Sequence, residues 1–290
     1  MRVDGPVVAA LDGGPHSACT LDWAVAEAVR RRTHLVLVSV VQDAWQATAW
    51  AWYPVVGAST ADREVAELLD ERVRYVEDRH PRLDVRARTL HGQLVPCLRE
   101  VSAEAQLLVV GARERDGLAR TGVTAGHVAA HARCPVVVVR DRPAGRAGDA
   151  PVIVGVDGSS SSMAAAHAAA REAWLRGRRL VVVHARPTVR NPFARGSLAP
   201  LATESPDDPT HKVARAVADS LRDEHEGLDV ELVLVDDDPA AALVGLGRDA
   251  VLLVVGSRGL AGFRGMLLGS VSSAVVRDAS GPVLVVHDGG

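Results

Sequence analysis

Aromatic residues, cysteines and charge of one sign are all scarce in this chain, and each scarcity narrows what the protein can be. Aromatics make up 3% of the residues although 48% are hydrophobic, so alanine, valine and leucine supply most of the apolar surface. Such a composition favours valine-rich buried strands covered by alanine-rich helices. The net charge is −3 without a long run of one sign, so we expect neither a nucleic acid nor an anionic membrane as the main partner.

The cysteines and the start of the chain bear on the cellular compartment. Cys19, Cys97 and Cys134 form no CxxC pair, which predicts reduced, mostly buried thiols rather than disulfides or a zinc site. Met1 to Asp12 enters a strand-like run without the layout of a signal peptide, and no apolar run approaches the length of a membrane span. We therefore expect a cytoplasmic protein.

The chain repeats itself, and 290 residues are long for one compact α/β unit but sufficient for two. Three pairs of segments carry the match: 6–13 with 151–158, 107–111 with 252–256, and 134–139 with 281–286. The offset is 145 residues from Asp12 to Asp157 and 147 from Pro135 to Pro282. The first copy therefore lacks two residues between its glycine loop and its last helix.

Each copy alternates short valine-rich strands with helices, which predicts right-handed crossovers and a parallel sheet covered on both faces. The predicted fold class is α/β, with two tandem doubly wound parallel-sheet sandwiches. We place the domains at 1–141 and 151–290, joined by a linker rich in proline, glycine and charge. In such sheets ligands bind outside the carboxyl ends of the strands.

Two variable segments interrupt the copies, from about Ala44 to Ser59 and from Arg186 to Thr210. The first contains three tryptophans and Tyr53, and the second is rich in proline without helical periodicity. The aromatic cluster is consistent with a loop packed onto its own domain and equally with a lid or ligand stack.

The strongest local signal is the run Val254–Gly259, followed after nine residues by Gly269–Ser272. Gly256 and Gly259 lack a Cβ, so we expect positive φ there, a close approach to a ligand, and amide groups that point at anionic oxygens. Gly269 should open a helix whose N-terminal amides and dipole favour phosphate, assisted by the nearby serine hydroxyls. No GK[ST] triplet follows, so this is not a Walker A loop.

These segments resemble the universal stress protein family in tandem form. The resemblance covers both copies and includes VIVGVDGS at 152–159, VVVHA at 181–185, and VVGSRG followed by LLGSVSSAVV. Nucleotide-binding members carry GxxG, nine residues, then G(S/T), and this chain fits that signature without a gap. The resemblance implies an ATP-binding fold of the adenine-nucleotide α-hydrolase type, used in stress adaptation. It also implies assembly as dimers or, in tandem chains, as an internal pseudo-dimer.

The resemblance further implies which residues contact the nucleotide. They are Val156, Asp157, Gly158, Ala185, Val255, Gly256, Ser257, Arg258, Gly259, Gly269, Ser270, Val271 and Ser272. Asp157 would lie near the adenine or ribose, and Val156 and Ala185 would frame the base. The glycine loop would wrap the ribose and phosphates, and the helix start would close on the phosphate oxygens. Arg258 either pairs with phosphate or reaches solvent.

The first copy departs from this signature. Gly111 is kept, but Glu114 replaces Gly259, and Gly122-Val123 replaces Gly269-Ser270. A carboxylate near phosphate is unfavourable and valine supplies no hydroxyl, so we predict a degenerate site here. His127 and His131 could supply half of a metal site, or they could be ordinary helix-face residues.

We therefore predict one ATP site per chain, used as a nucleotide-dependent switch that alters domain pairing or an unknown protein partner. Edge-to-edge pairing of the last strands, Val136–Val139 and Val283–Val286, is the expected route to the pseudo-dimer. No catalytic residue set is assigned. Slow ATP hydrolysis is the enzymatic alternative, as is adenylation, since Asp12–Ser17 resembles the GGxxS loop of ATP pyrophosphatases but lacks its leading serine. Asp238 should cap a helix, and a neighbouring aspartate is a candidate ligand for Mg²⁺.

Overall fold

The structure is a computed structural model that describes residues 4–14, 17–41, 58–112, 123–140, 148–186, 209–260 and 268–288. The chain divides into two compact units, residues 1–143 and 144–290. Among the described residues, no helix has both the length and the apolar character needed to span a membrane.

The first unit alternates five strands with four helices within its described ranges. In chain order they are β1 (Val7–Ala10), α1 (Ser17–Arg31), β2 (Leu35–Val41), α2 (Ala58–Arg79), β3 (Val85–His91), α3 (Leu94–Ser102), β4 (Leu107–Gly111), α4 (Val123–His131) and β5 (Val136–Val139). Helix α2 begins at Ala58, so the end of the first variable segment is already helical. The aromatic cluster of that segment lies outside the described residues.

The second unit repeats this order. Its elements are β6 (Val152–Gly155), α5 (Ser160–Arg176), β7 (Leu180–Ala185), α6 (Pro209–Glu224), β8 (Val230–Val235), α7 (Pro239–Leu246), a 3-10 turn (Gly247–Asp249), β9 (Leu252–Gly256), α8 (Ser270–Asp278) and β10 (Val283–Val286). Helix α6 takes in the last two residues of the second variable segment. Residues 187–208 lie outside the described part.

Every strand pairing within each unit is parallel. The first sheet has the order β3-β2-β1-β4-β5 and the second the order β8-β7-β6-β9-β10. The registers also repeat, because Val7 lies opposite Leu35 and Val152 lies opposite Leu180. The predicted fold class, two tandem doubly wound parallel-sheet units, is confirmed. Strand order reverses beside the first strand of each unit, which is where such folds place their ligands.

Small residues allow the helices to lie close to the sheets. Ala24 and Ala28 of α1, and Ala165 and Ala169 of α5, are fully buried beside strands of buried valine and leucine. Burial of such apolar surface is the main stabilising term, at about 25 cal/mol per Å². Each of these two helices also buries a glutamate near its end, Glu27 in α1 and Glu172 in α5.

The cysteines only partly match the expectation of burial. Cys134 is buried, and burial raises the pKa of its thiol to about 12. Cys97 is half-buried and Cys19 is exposed on the first turn of α1, so the prediction was wrong for Cys19. None of the three forms a disulfide in the structure.

Candidate functional site

The candidate site lies at the carboxyl ends of the two central strands of the second unit. β6 and β9 pair in parallel, with Val154 opposite Val254, so the residues that follow them emerge at the same edge. Asp157 follows β6, and Gly256 is the last residue of β9. The fold thus brings together the two segments that the sequence analysis placed at the site.

The turn from β6 into α5 is shaped by one glycine and one serine. Gly158 has a φ of +87°, a left-handed conformation that glycine adopts without steric cost. Ser159 is the N-cap of α5, because its hydroxyl accepts a hydrogen bond from the Ser162 amide at 3.2 Å. The helix therefore starts directly after Ser159, and its first turn lies beside the glycine loop.

The loop that follows β9 is fixed by contacts with its own protein. The Ser257 amide donates to the carbonyl of Val286 at 2.7 Å, and the Arg258 amide donates to Ser161 Oγ at 3.2 Å. The Ser161 hydroxyl in turn donates to the carbonyl of Arg258. Ser161 therefore joins α5 to the loop, a role that the sequence analysis did not assign to it.

The two loop glycines are required for close approach rather than for positive φ. Neither Gly256 nor Gly259 has a positive φ, so that expectation was wrong. A Cβ on Gly256 would lie 2.7 Å from the backbone carbon of Ser161, and one on Gly259 would lie 2.6 Å from Asp157 Oδ2. Both distances are shorter than real Cβ contacts, so any larger side chain would force the loop away from α5 and from the Asp157 carboxylate.

Asp157 connects the two halves of the site. Its Oδ1 accepts from the Ser159 amide at 2.9 Å and its Oδ2 from the Leu260 amide at 3.0 Å. Partial burial acts to raise the pKa of this carboxyl, but the hydrogen bonds from Ser159, Leu260 and Ser162 outweigh it and hold the pKa below the ordinary value of 3.8. Asp157 is therefore ionised near neutral pH and acts only as a hydrogen-bond acceptor.

Most loop amides are already used within the protein, which corrects the expectation that they point freely outward. Gly269, for example, donates to the carbonyl of Ser257 at 2.8 Å. The amides left for a ligand are that of Gly259, which has no hydrogen bond to the described residues, and those of Ser270–Ser272 in the first turn of α8. Gly269 caps α8 without a side-chain bond, so these amides at the positive end of the helix dipole have no hydrogen-bond partner among the described residues.

The two candidate serines of α8 differ in environment. Ser270 is exposed at the helix start. Ser272 is buried, and its hydroxyl donates to the carbonyl of Gly256 at 2.5 Å. The Ser272 hydroxyl therefore stabilises the contact between the loop and α8, whereas a contact with the ligand was expected. Val271 is half-buried beside them.

The cation at the site has a carboxylate neighbour. Arg258 is about half exposed, and its Nη2 lies 4.0 Å from Asp288 Oδ1. Asp288 also accepts from the Ser160 hydroxyl at 2.7 Å, and this bond is the main cause of its lowered pKa. The guanidinium therefore lies near a carboxylate while remaining reachable from solvent. Neither Asp288 nor Ser160 was foreseen, because they are 128 residues apart in the chain.

A buried histidine lies next to the residues expected to frame the base. His184 is 8% exposed, and its Nδ1 donates to the carbonyl of Val156 at 2.9 Å. Its Nε2 is buried and has no hydrogen-bond partner within the described part of the chain, and its ring lies edge to face with that of His211, with 6.0 Å between the ring centroids. Val156 is buried and Ala185 half-buried, at the ends of neighbouring strands.

The other candidate ligand groups have structural partners. Asp238 is the N-cap of α7 and accepts from the Ala241 amide at 2.9 Å, with Pro239 in the first turn, as predicted. Asp236 pairs with Arg186 at 2.9 Å. In α4, His131 Nδ1 donates to the carbonyl of His127 at 2.8 Å. Within the described ranges no group of three metal-ligating side chains occurs.

The first unit retains the turn that follows its first strand. Gly13 has a φ of +74°, close to that of Gly158, and Asp12 Oδ1 accepts from the Gly14 amide and the Ser17 hydroxyl. A Cβ on Gly111 would lie 2.8 Å from Thr20 Oγ1. Residues 113–122, which contain the substituted positions, lie outside the described part.

Two doubly wound parallel units in one chain, with a glycine loop against the start of a helix at the strand ends of the second, define a tandem α/β protein. The chain belongs to the universal stress protein family, which matches residues 5–140 and 150–287. Universal stress protein Rv1996 of Mycobacterium tuberculosis is 34% identical over 299 residues, covering 97% of this chain and 94% of the relative. Rv2623 of the same organism is 32% identical over 297 residues, covering 97% and 96%.

A solved structure has the same fold over nearly the whole chain. A universal stress protein from Archaeoglobus fulgidus DSM 4304 matches with a TM-score of 0.70 and covers 98% of this chain and 96% of its own. Its sequence identity is 16%, so the likeness concerns the fold alone.

Proposed function

We propose that this universal stress protein binds an adenine nucleotide, ATP in the first instance, at the carboxyl edge of the second sheet. The glycine loop carries the proposal, since Gly259 lets the loop approach Asp157 while its own amide and those of Ser270–Ser272 have no partner among the described residues. Several amides at the positive end of a helix dipole suit phosphate oxygens. Arg258 is near enough to add a charge-assisted bond.

The contact set of the proposal is the one that the family resemblance implies. Val156 and Ala185 border the base, and Asp157 accepts a hydrogen bond from a ribose hydroxyl. Gly158 provides the left-handed turn that follows Asp157. Val255, Gly256, Ser257 and Ser272 hold the loop in place. We assign no protein ligand to Mg²⁺, which would accompany the phosphates.

Binding gives the protein a means to switch. A nucleotide shifts an equilibrium only to the extent that it binds one conformation better. Because Arg258 and Asp157 both contact segments that the phosphates would approach, an ATP-loaded loop differs in charge and contacts from an empty one. We propose that this difference is transmitted to domain pairing, to a homodimer or to a protein partner in stress adaptation.

The test is calorimetric titration of the full chain with ATP and AMP, comparing the wild type with G259E. A side chain at 259 clashes with Asp157, and glutamate adds a charge that repels phosphate, so affinity should fall by at least about 100-fold, or about 2.7 kcal/mol. The control is G245A in α7, where a Cβ meets nothing within 4 Å. Thermal melts check that both variants fold. Absence of nucleotide binding by the wild type, or unchanged affinity in G259E, would contradict the proposal.

A further inference from the structure

A second concave site lies in the first unit, at the opposite end of its sheet from the Asp12 turn. The groove has a volume of about 810 Å³ and lies where α1 and α2 end and where β2 and β3 begin. Val29 and Leu83 contribute apolar surface to its lining, and Arg32, Arg79 and Arg82 also line it. This volume falls within the range of small-molecule sites in proteins.

The groove carries an excess of positive charge. Its described lining includes three arginines and one carboxylate, Asp84, which already pairs with Arg86 at 2.7 Å. Arg79 is held by its own helix, since it donates to the carbonyl of Tyr75 and lies over the ring of that residue. The side chains of Arg32 and Arg82 have no hydrogen-bond or ion-pair partner among the described residues. These two guanidinium groups are therefore available to an anion.

Arg32 occupies an unfavourable backbone conformation. Its φ is +53°, and no other non-glycine residue in the described ranges has a positive φ. The conformation closes α1, because the Arg32 amide donates to Val29 and the Thr33 amide to Ala28. α5 ends in the same way, but there the left-handed residue is Gly177, with a φ of +60°. The first unit thus carries a backbone cost that glycine avoids in the second.

The internal repeat provides a control for the charge as well. At the positions that match Arg79 and Arg82, the second unit has Glu224 and Gly227, and at the position of Val29 it has Trp174. The charged residues of the matched set are Arg178, Arg179, Glu224, Glu226 and Asp229. Carboxylates outnumber arginines there, whereas arginines dominate in the first unit. The basic groove is therefore not a general requirement of this fold.

We propose that the groove binds a small organic phosphate, with its phosphate on the guanidinium groups of Arg32 and Arg82 and its uncharged part over Val29 and Leu83. Guanidinium groups bind phosphate oxygens through paired hydrogen bonds and keep their charge at all physiological pH. The cost of a left-handed Arg32 is then explained by the cation that it supplies. This site is independent of the proposed nucleotide site, because it belongs to the other unit and to the other ends of the strands.

Hydrogen exchange of the full chain with and without pyrophosphate tests the proposal and locates the binding. Amides in 28–34 and 80–85 should be protected, apart from any protection in 256–272. R82Q should lose the protection at the groove and weaken pyrophosphate binding there at least tenfold. R63Q, which removes the same charge from an exposed position of α2, should keep both. Unchanged protection in R82Q, no protection at the groove, or equal loss in R63Q would overturn the proposal.

R32G separates a ligand role from a purely helical one. The variant copies Gly177, so without pyrophosphate its Tm should rise by about 2 °C, while pyrophosphate binding at the groove weakens at least tenfold. If Arg32 served only to oppose the dipole at the end of α1, the Tm would fall and pyrophosphate binding would stay unchanged. That result would also overturn the proposal.

Discussion

Asp157 holds the candidate site together at the scale of single residues. Its two oxygens accept from Ser159 at the start of α5 and from Leu260 after the glycine loop. Removing the negative charge weakens both bonds together, because hydrogen bonds to a charged acceptor are about twice as strong as those to a neutral one. The state of this one carboxyl therefore affects the turn and the loop at once.

The lowered pKa of Asp157 predicts how the stability of the fold depends on pH. A carboxyl with a folded-state pKa below its unfolded value stabilises the fold fully above the ordinary value of 3.8, and the contribution is lost as pH falls below it toward the folded pKa. D157N should therefore unfold at lower urea concentration than the wild type near neutral pH, and the difference should shrink in acid. Urea titrations between about pH 6 and pH 3 measure it.

A suitable control for this experiment is D22N, on the exposed face of α1. Its urea midpoint should follow that of the wild type throughout the pH series. A difference between D157N and the wild type that stays constant down to the acid limit would show that the lowered pKa contributes nothing to stability.

The sequence predicted where the glycine loop lies in the fold better than it predicted why the loop needs its glycines. Glycine spacing alone identified Gly256 and Gly259, since glycine at fixed positions after a strand is a local signal. Their physical reason, the approach of Ser161 and Asp157, depends on atoms about 100 residues away in the chain. Ser161 looked like one serine in a run of four, and only the folded sheet places it under the loop.

At the scale of elements, helices α1 and α5 each carry a buried ion pair near the C-terminal end. Glu172 pairs with Arg176 in α5, and these side chains are 3% and 5% exposed. Glu27 pairs with Arg31 in α1 at 3.3 Å, at the same place in the repeat. Burying such a pair costs free energy because both charges lose their hydration. Removing one partner costs more, because the other charge then stays buried without its counter-charge.

We expect E172A to lower the free energy of unfolding by about 3–5 kcal/mol, because it leaves the guanidinium of Arg176 buried. The matched comparison is E67A, which breaks the exposed pair with Arg63 on α2, where the side chains are 68% and 81% exposed. That variant should cost less than about 1 kcal/mol. Urea unfolding measures both, and equal costs would contradict the role given to burial.

Element types were predictable because their signals are local. Asp238-Pro239 predicted the start of α7 since a capping carboxylate and a first-turn proline act within four residues. The starts of α2 and α6 were placed too late, because the residues before them show no helical pattern of their own. The crossover rule for parallel sheets fixes the hand of each connection, but the strand order and pairing partners such as Val154 and Val254 emerge only from the fold.

At the scale of the whole molecule, the repeat predicts unequal halves. Glu114 and Val123 stand where the second unit has Gly259 and Ser270, so we expect one adenine nucleotide per chain. Calorimetry, or analysis of nucleotide that copurifies with the chain, gives this number directly. Two nucleotides per chain would refute the assignment of a degenerate first copy.

The same repeat made the architecture predictable. Because the same pattern occurs twice, each strand and helix could be predicted from two segments of the sequence. The two units also share their strand registers, since Val7 lies opposite Leu35 and Val152 lies opposite Leu180. Divergence between the copies is harder to anticipate. Arg32 and Gly177 look like an ordinary surface substitution until the left-handed turn that both occupy is known.

Residues 257–260, at the start of the glycine loop, are hydrogen-bonded to Ser161, Asp157 and Val286. The backbone of these four residues is therefore ordered when the protein folds, and an incoming nucleotide does not have to supply that entropy again. Association should then follow a single step whose rate rises linearly with nucleotide concentration, without a slow closing phase. Differences in affinity among nucleotides would arise in their residence times.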